Sequence, residues 1–94
     1  MDFLIGDNPG AQRFETIVDG QLCVLDYGVR GRTLLLNHAG VPSAVGGRGI
    51  AAALTKHALD SARQRGMDVV PNCSYVAAWI TRHPIYADLV RIDS

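Results

Sequence analysis

VGGRGIAAALTKHALDSARQRG, residues 45–66, is the stretch on which the fold turns. From Ile50 to Arg65 it is built of Ala, Leu, Lys, Gln and Arg, residues that lose little freedom in a helix. Ile50, Leu54, Ala58 and Ala62 recur at helical spacing as a buried stripe, and Lys56, Asp60, Arg63 and Gln64 point outward. Gly66 supplies a left-handed stop. Ahead of the helix lies a loop of small residues, Ser43 to Gly49, with glycines at 46, 47 and 49. Backbone N–H groups that open a helix have no partner and sit at its positive end, so they form an anion site. Glycines suit it because a β-carbon would hold a phosphate off the main chain. The loop alone reads equally well as a flexible connection in which Gly49 relieves close packing.

Upstream, Arg13 to Val18 (RFETIV) alternates as a strand does and stops at Asp19-Gly20, the dipeptide favoured in two-residue hairpins. Gln21 to Arg30 puts Leu22, Val24 and Asp26 on one face and Cys23, Leu25 and Tyr27 on the other, and it breaks at Gly31. Thr33 to Ala39 completes an antiparallel meander. The run Leu34-Leu35-Leu36 predicts a strand covered on both faces. Before the meander, Asp7 to Gly10 predicts a loop, so residues 1–11 are read without regular structure.

Downstream, Met67 to Pro71 predicts a short buried strand. A second helix is expected from Ser74, its cap, to His83, with Val76, Ala77, Trp79 and Ile80 inward and Pro84 ending it. The segment Tyr86 to Ile92 reads as a helical turn or a last short strand. The order β-β-β-α-β-α, without repeat or linker, predicts one α/β (α+β) domain over residues 1–94, a sheet with helices packed on it.

Nine basic and nine acidic residues leave no net field to draw the chain to nucleic acid or an anionic membrane. Arg63 and Arg65 are flanked by Asp60 and Asp68, as on a solvated helix face. With 48% hydrophobic residues the chain is too apolar for disorder, and no apolar run approaches the ~20 residues of a membrane span. The opening Met1 to Ile5 has no basic n-region, which points to the cytoplasm and to free thiols at Cys23 and Cys73. The sequon Asn72-Cys73-Ser74 is then accidental. Three scattered histidines and two distant cysteines show no metal-ligand spacing.

Two phosphate motifs can be weighed. No Gly-Lys-Ser/Thr follows the glycines, which excludes the Walker loop. Gly47-x-Gly49-x-x-Ala52 matches the dinucleotide fingerprint, but it follows an antiparallel meander in a chain too short for a doubly wound sheet. The run Gly46-Gly47-Arg48-Gly49-Ile50-Ala51 instead resembles motif A of the GCN5-related N-acetyltransferases. Arg13-Phe14-Glu15, Asp19-Gly20, Leu25 to Tyr27, His38, Val41-Pro42, Pro71-x-Cys73-Ser74-Tyr75-Val76 and His83-Pro84-x-Tyr86 extend the resemblance to small, YjdJ-type acetyltransferase-like proteins, from Phe14 to Val90.

That resemblance implies a minimal GNAT-like fold that uses acetyl-CoA to acetylate an unidentified amine. It implies pyrophosphate on the N–H groups of Gly47, Arg48, Gly49, Ile50 and Ala51, with Gly46, Asn72 and His83 as further cofactor contacts and the pantetheine arm between splayed strands. Gly46 departs from the Gln or Arg usual there. Gly40 stands where an acidic residue is expected, so a carboxylate base is missing. Cys73 is expected where the thioester arrives, as acetyl acceptor or lining residue. Tyr75 and Tyr86 are candidate proton donors to the CoA thiolate, and His38 is a candidate base. His57 reads as a surface residue and Trp79 as core. A CoA-binding module with little turnover is the second reading, and a partner-binding domain with an empty loop is the third. The chain is expected to be a monomer or, through an exposed sheet edge, a weak dimer.

Overall fold

The computed structural model describes residues 3–91. A five-stranded sheet in sequential order is formed by β1 (Gly6–Asn8), β2 (Arg13–Val18), β3 (Gln21–Arg30), β4 (Thr33–Gly40) and β5 (Asp68–Pro71). The first three neighbour pairs are antiparallel and β4–β5 is parallel. Helix α1 (Ile50–Gln64) crosses from β4 to β5, and α2 (Ser74–Arg82) follows β5. Short 3-10 turns occupy Ser43–Val45 and Pro84–Leu89.

The meander forms where its turn chemistry directs. Val18 pairs with Gln21 across Asp19-Gly20, and both turn residues have positive φ, 49° and 76°. That is the twist a two-residue hairpin requires. Asp19 tolerates it because a short polar side chain costs least in the left-handed region.

Three expectations are corrected. Residues 1–11 are not all loop, since Gly6–Asn8 pairs with Arg13–Glu15. Its Asp, Asn and Gly mask a strand held by its neighbour alone. Cys73, not Ser74, stands at the N-cap of α2, and the helix ends at Arg82 with His83 as its C-cap. The tail agrees with the expected helical turn or short strand: it makes the 3-10 turn, then Val90 bridges Val69 in parallel. Ile92 lies outside the described residues.

The third correction concerns the sheet's faces. Phe14, Thr16, Cys23, Leu25, Tyr27, Leu34, Leu36 and Val69 are buried, and the register puts them on one face. The apolar ones join Leu54, Leu59, Val76, Trp79 and Ile80 of the two helices in a single core. Crossovers in parallel units turn the same way, so β4–α1–β5 and β5–α2–Val90 lay both helices on that face. The opposite face carries Glu15, Ile17, Leu22, Val24, Asp26 and Leu35, with Ile17 at 70% exposure. Leu35 is therefore half-buried, and the leucine run did not signal two covered faces.

Tyr27 ties β1 to the core, its hydroxyl donating to Asp7 Oδ1 at 2.6 Å. Burial, reinforced by Asp7, pushes its phenol from 10.0 to about 12. The folded state holds this proton more tightly than the unfolded chain, so the stabilisation is complete below pH 10 and is lost between pH 10 and 12. Alkaline melts of the wild type and Tyr27→Phe should converge over that range. A constant gap between them would refute the linkage.

Candidate functional site

At the C-terminal end of β4 the chain passes through the 3-10 turn and into the glycine loop. Gly47 and Gly49 hold φ of 77° and 78°, and a β-carbon built on either meets nothing within 4 Å. Glycine is therefore required by backbone conformation, and the space above it is open to a ligand. Gly46 is different: its backbone is extended and its N–H donates to Ser43 O. The first intrahelical bond runs from Ala53 N to Gly49 O, and no side chain caps the helix. The N–H groups of Ile50, Ala51 and Ala52 thus precede the helical ladder, at the positive end of the dipole.

A cavity of about 290 Å³ lies over this cradle. Val41 and Val45 wall it, and Tyr75 from the first turn of α2 closes it opposite. Burial raises the Tyr75 phenol, with Arg82 acting in the other direction. The Arg48 side chain leaves the cradle for the β2–β3 turn, where Nη1 meets Asp19 Oδ2 at 2.6 Å. Its contribution to an anion site is its backbone, and its guanidinium screens the Asp19 carboxylate nearby.

Beside the cradle the sheet splits. The last β4–β5 partners are Leu36 and Pro71, after which Cys73 N donates to Leu36 O at 2.9 Å. β4 runs on to Gly40 while β5 turns into α2. Cys73 is therefore at the fork, half-buried and with a free thiol. The fork coincides with a bulge: Tyr27 pairs with Leu36 and Asp26 with His38, which leaves Asn37 as the extra residue of β4. Such a bulge sends two successive side chains the same way. Asn37 Nδ2 lies 3.6 Å from a β-carbon built on Gly28, and His38 Nε2 lies 3.5 Å from one built on Gly40. Both glycines belong to the uncovered face, and so do both side chains.

His38 sits exposed opposite Asp26 in the register, its ring leaning over Gly40. Arg13 at 2.6 Å, with help from Asn8, holds the Glu15 carboxyl on the same face below the ordinary carboxylate range. Asn72 reaches across the fork, Nδ2 donating to Asn37 Oδ1 at 3.0 Å.

The residues expected from sequence divide into two groups. The loop from Gly46 to Ala51, with Tyr75, lines or borders one cavity, and Asn72, Cys73 and His38 lie at the fork next to it. His83 and Tyr86 are not brought there. His83 stands at the far end of α2, about 13 Å along the axis at 1.5 Å per residue, stacked on Trp79 with centroids 3.7 Å apart and Nδ1 against Trp79 O. Tyr86 is buried against α1, its hydroxyl donating to Asp60 Oδ1 at 2.7 Å, about 15 Å along that helix from Ile50. Burial and this bond raise its phenol. Both are fastenings of the C-terminal segment, as is Arg63, which grips both Asp88 carboxylate oxygens. Asn37 was missed, because the bulge that brings it to the fork leaves no mark in the alternation of β4.

No group of three or more His, Cys, Asp or Glu that could hold a metal occurs among the described residues. No helix among them is long and apolar enough to cross a membrane.

Comparison with known proteins bears on the chemistry such a site performs. Residues 13–89 match the family described as GCN5-related N-acetyl-transferase. The fold is similar to the NMR solution structure of a GCN5-like protein from Staphylococcus aureus, at a TM-score of 0.74 and 21% identity over 98% of this chain and 91% of that one.

Proposed function

The chain belongs to the GCN5-related N-acetyltransferase family, and from that premise we propose that it transfers an acetyl group from acetyl-CoA to an amine. The observation that carries the reading is the cavity over Gly47, Gly49 and the free N–H groups of Ile50 to Ala52, with the β4–β5 fork beside it. Residues at the cradle fit a pyrophosphate: open space where β-carbons are absent, and unpaired donors at a helix start. A pantetheine arm leaving the cradle would enter the fork, which takes its thioester toward Cys73, Asn72 and His38.

Transfer then needs four changes in balance. The amine nitrogen forms a bond to the thioester carbonyl carbon, the carbon–sulfur bond breaks, the nitrogen loses a proton and the thiolate gains one. Tyr75, kept protonated by its burial, suits the last role. His38 suits the third, since it faces solvent at the fork. Cys73 lines the thioester's path. Tyr86 and His83 take no part in this scheme. The reading assigns residues 1–94 to one domain working as a cytoplasmic monomer or weak dimer on a small or peptidic amine.

A second reading, binding of CoA with little turnover, draws support from Gly40, which brings no carboxylate to the strand end. Calorimetric titration with acetyl-CoA, followed by thiol release against a panel of amines, separates the two. Saturable binding with steady release supports the enzyme, and Tyr75→Phe should then lower turnover by about tenfold or more with affinity intact. Binding without release supports the module. No heat and no thermal stabilisation at millimolar ligand would remove both. Intact mass on the same samples tests Cys73: an added acetyl group would make it an acceptor, and no change leaves it as lining.

A further inference from the structure

The uncovered face of the sheet has a polarity that the scheme above leaves unused. Along β3 that face reads Asp26, Gly28, Arg30, an acid, a bare position and a base, over about 13 Å at the rise of a strand. The Asp26 carboxylate is half-buried and makes no hydrogen bond or ion pair with the described residues, because Arg13, its register partner on β2, turns to Glu15 at 2.6 Å. It lies opposite His38, at the fork. At the other end a cavity of about 120 Å³ is lined by Arg30, Thr33, Leu35, Val70 and Arg91, and no carboxylate of the described residues is among its walls. Thr33 is only 5% exposed, and its hydroxyl accepts from Arg91 Nη1 at 3.3 Å while its own proton goes to no described acceptor. Arg91 stands 3.9 Å from Asp68, beyond the length of a charge-assisted hydrogen bond, so most of its donors remain available. Between the two ends lie Gly28 and the half-buried side chains of Leu35 and Val70, which the register places side by side. The middle is apolar.

We propose that this face binds the acetyl acceptor, and that the acceptor is an ω-amino carboxylate: its acid group in the cavity of Arg30, Thr33 and Arg91, its methylenes over Gly28, Leu35 and Val70, its amine between Asp26 and His38. This rests on the acetyl-CoA reading. A carboxylate matches two guanidinium groups and a hydroxyl donor, and the ammonium end matches a carboxylate that has no cation. Each end of the ligand is repelled by the opposite end of the face, which fixes the way round that the acceptor lies. His38 then meets the nitrogen whose proton must leave. A plain alkylamine gains only one of the two anchors.

Thiol release by the full chain at saturating acetyl-CoA is compared for ε-aminocaproate and hexylamine, which share an alkyl chain and differ in the carboxylate. The amino acid should show kcat/KM about tenfold higher, as one hydrogen-bonded ion pair provides. R91Q should raise KM for ε-aminocaproate about tenfold and so bring it to the level of hexylamine, and D26N should raise KM for both. Arg91 is largely exposed, and thermal melting of the variant verifies its fold. Backbone amides of Thr33, Val70 and Arg91 give a readout without turnover: in ¹H–¹⁵N NMR, hexanoate should shift them and hexylamine should not. Equal kcat/KM for the two amines, or amides that hexanoate leaves in place, overturns the proposal while the acetyl-CoA reading stands. If acetyl-CoA does not bind, that reading fails and this inference fails with it.

Discussion

Gly49→Asp is expected to lower affinity for CoA by about a hundredfold or more, a loss of about 2.7 kcal/mol, while the chain stays folded. Gly49 has φ 78° and ψ 18°, and a β-carbon there meets nothing within 4 Å. The folding penalty is thus confined to backbone strain of about 1 kcal/mol. The ligand's loss is larger. A carboxylate at this position accepts from the N–H groups that would hold the pyrophosphate and places a negative charge beside it. One such charge pair at 4 Å in an effective dielectric of 20 costs about 4 kcal/mol. Gly49→Ala separates the causes, since it carries the strain without the charge and should retain measurable binding. Calorimetry and ligand-induced thermal stabilisation report the result. An Asp variant that binds like the wild type would dismiss the cradle.

Phe14→Ala should produce the largest loss of stability. Phe14 is 1% exposed and joins the sheet to α1, with Tyr27 on one side at 5.0 Å and His57 edge-on at 5.5 Å between centroids. Removing a buried phenyl ring costs about 3–5 kcal/mol from lost transfer energy and the cavity left behind. At about 4–8 °C per kcal/mol for a domain of this size, the melting temperature should fall by more than about 12 °C. With one core and one covered face, no second layer of packing can compensate. A fall of less than about 5 °C, near what 1 kcal/mol is worth, would mean that α1 is not seated through this ring.

The fold was legible where local chemistry and tertiary demand agree. Asp19-Gly20 set the hairpin, the stripe Ile50, Leu54, Ala58, Ala62 set the face of α1, and Gly66 ended it at φ 66°. Illegible parts depend on partners distant in sequence. Gly6–Asn8 becomes a strand only because β2 offers it an edge, and Leu35 is left half-covered because both crossovers turn one way. The glycine cradle could be read from spacing, since its chemistry is a property of consecutive backbone groups. Assigning roles to tyrosines could not: Tyr75 and Tyr86 stand alike in the sequence, and only packing separates the one at the cavity from the one bound to Asp60. Asn37 needed the register itself.

A sheet clad on one side also constrains its own history unevenly. Along β2 and β3 every second residue enters the core, while its neighbours, Glu15, Ile17, Leu22 and Asp26 among them, answer mainly to water and to whatever approaches from it. Substitution can accumulate on those alternate positions in stripes, with the fold as bystander.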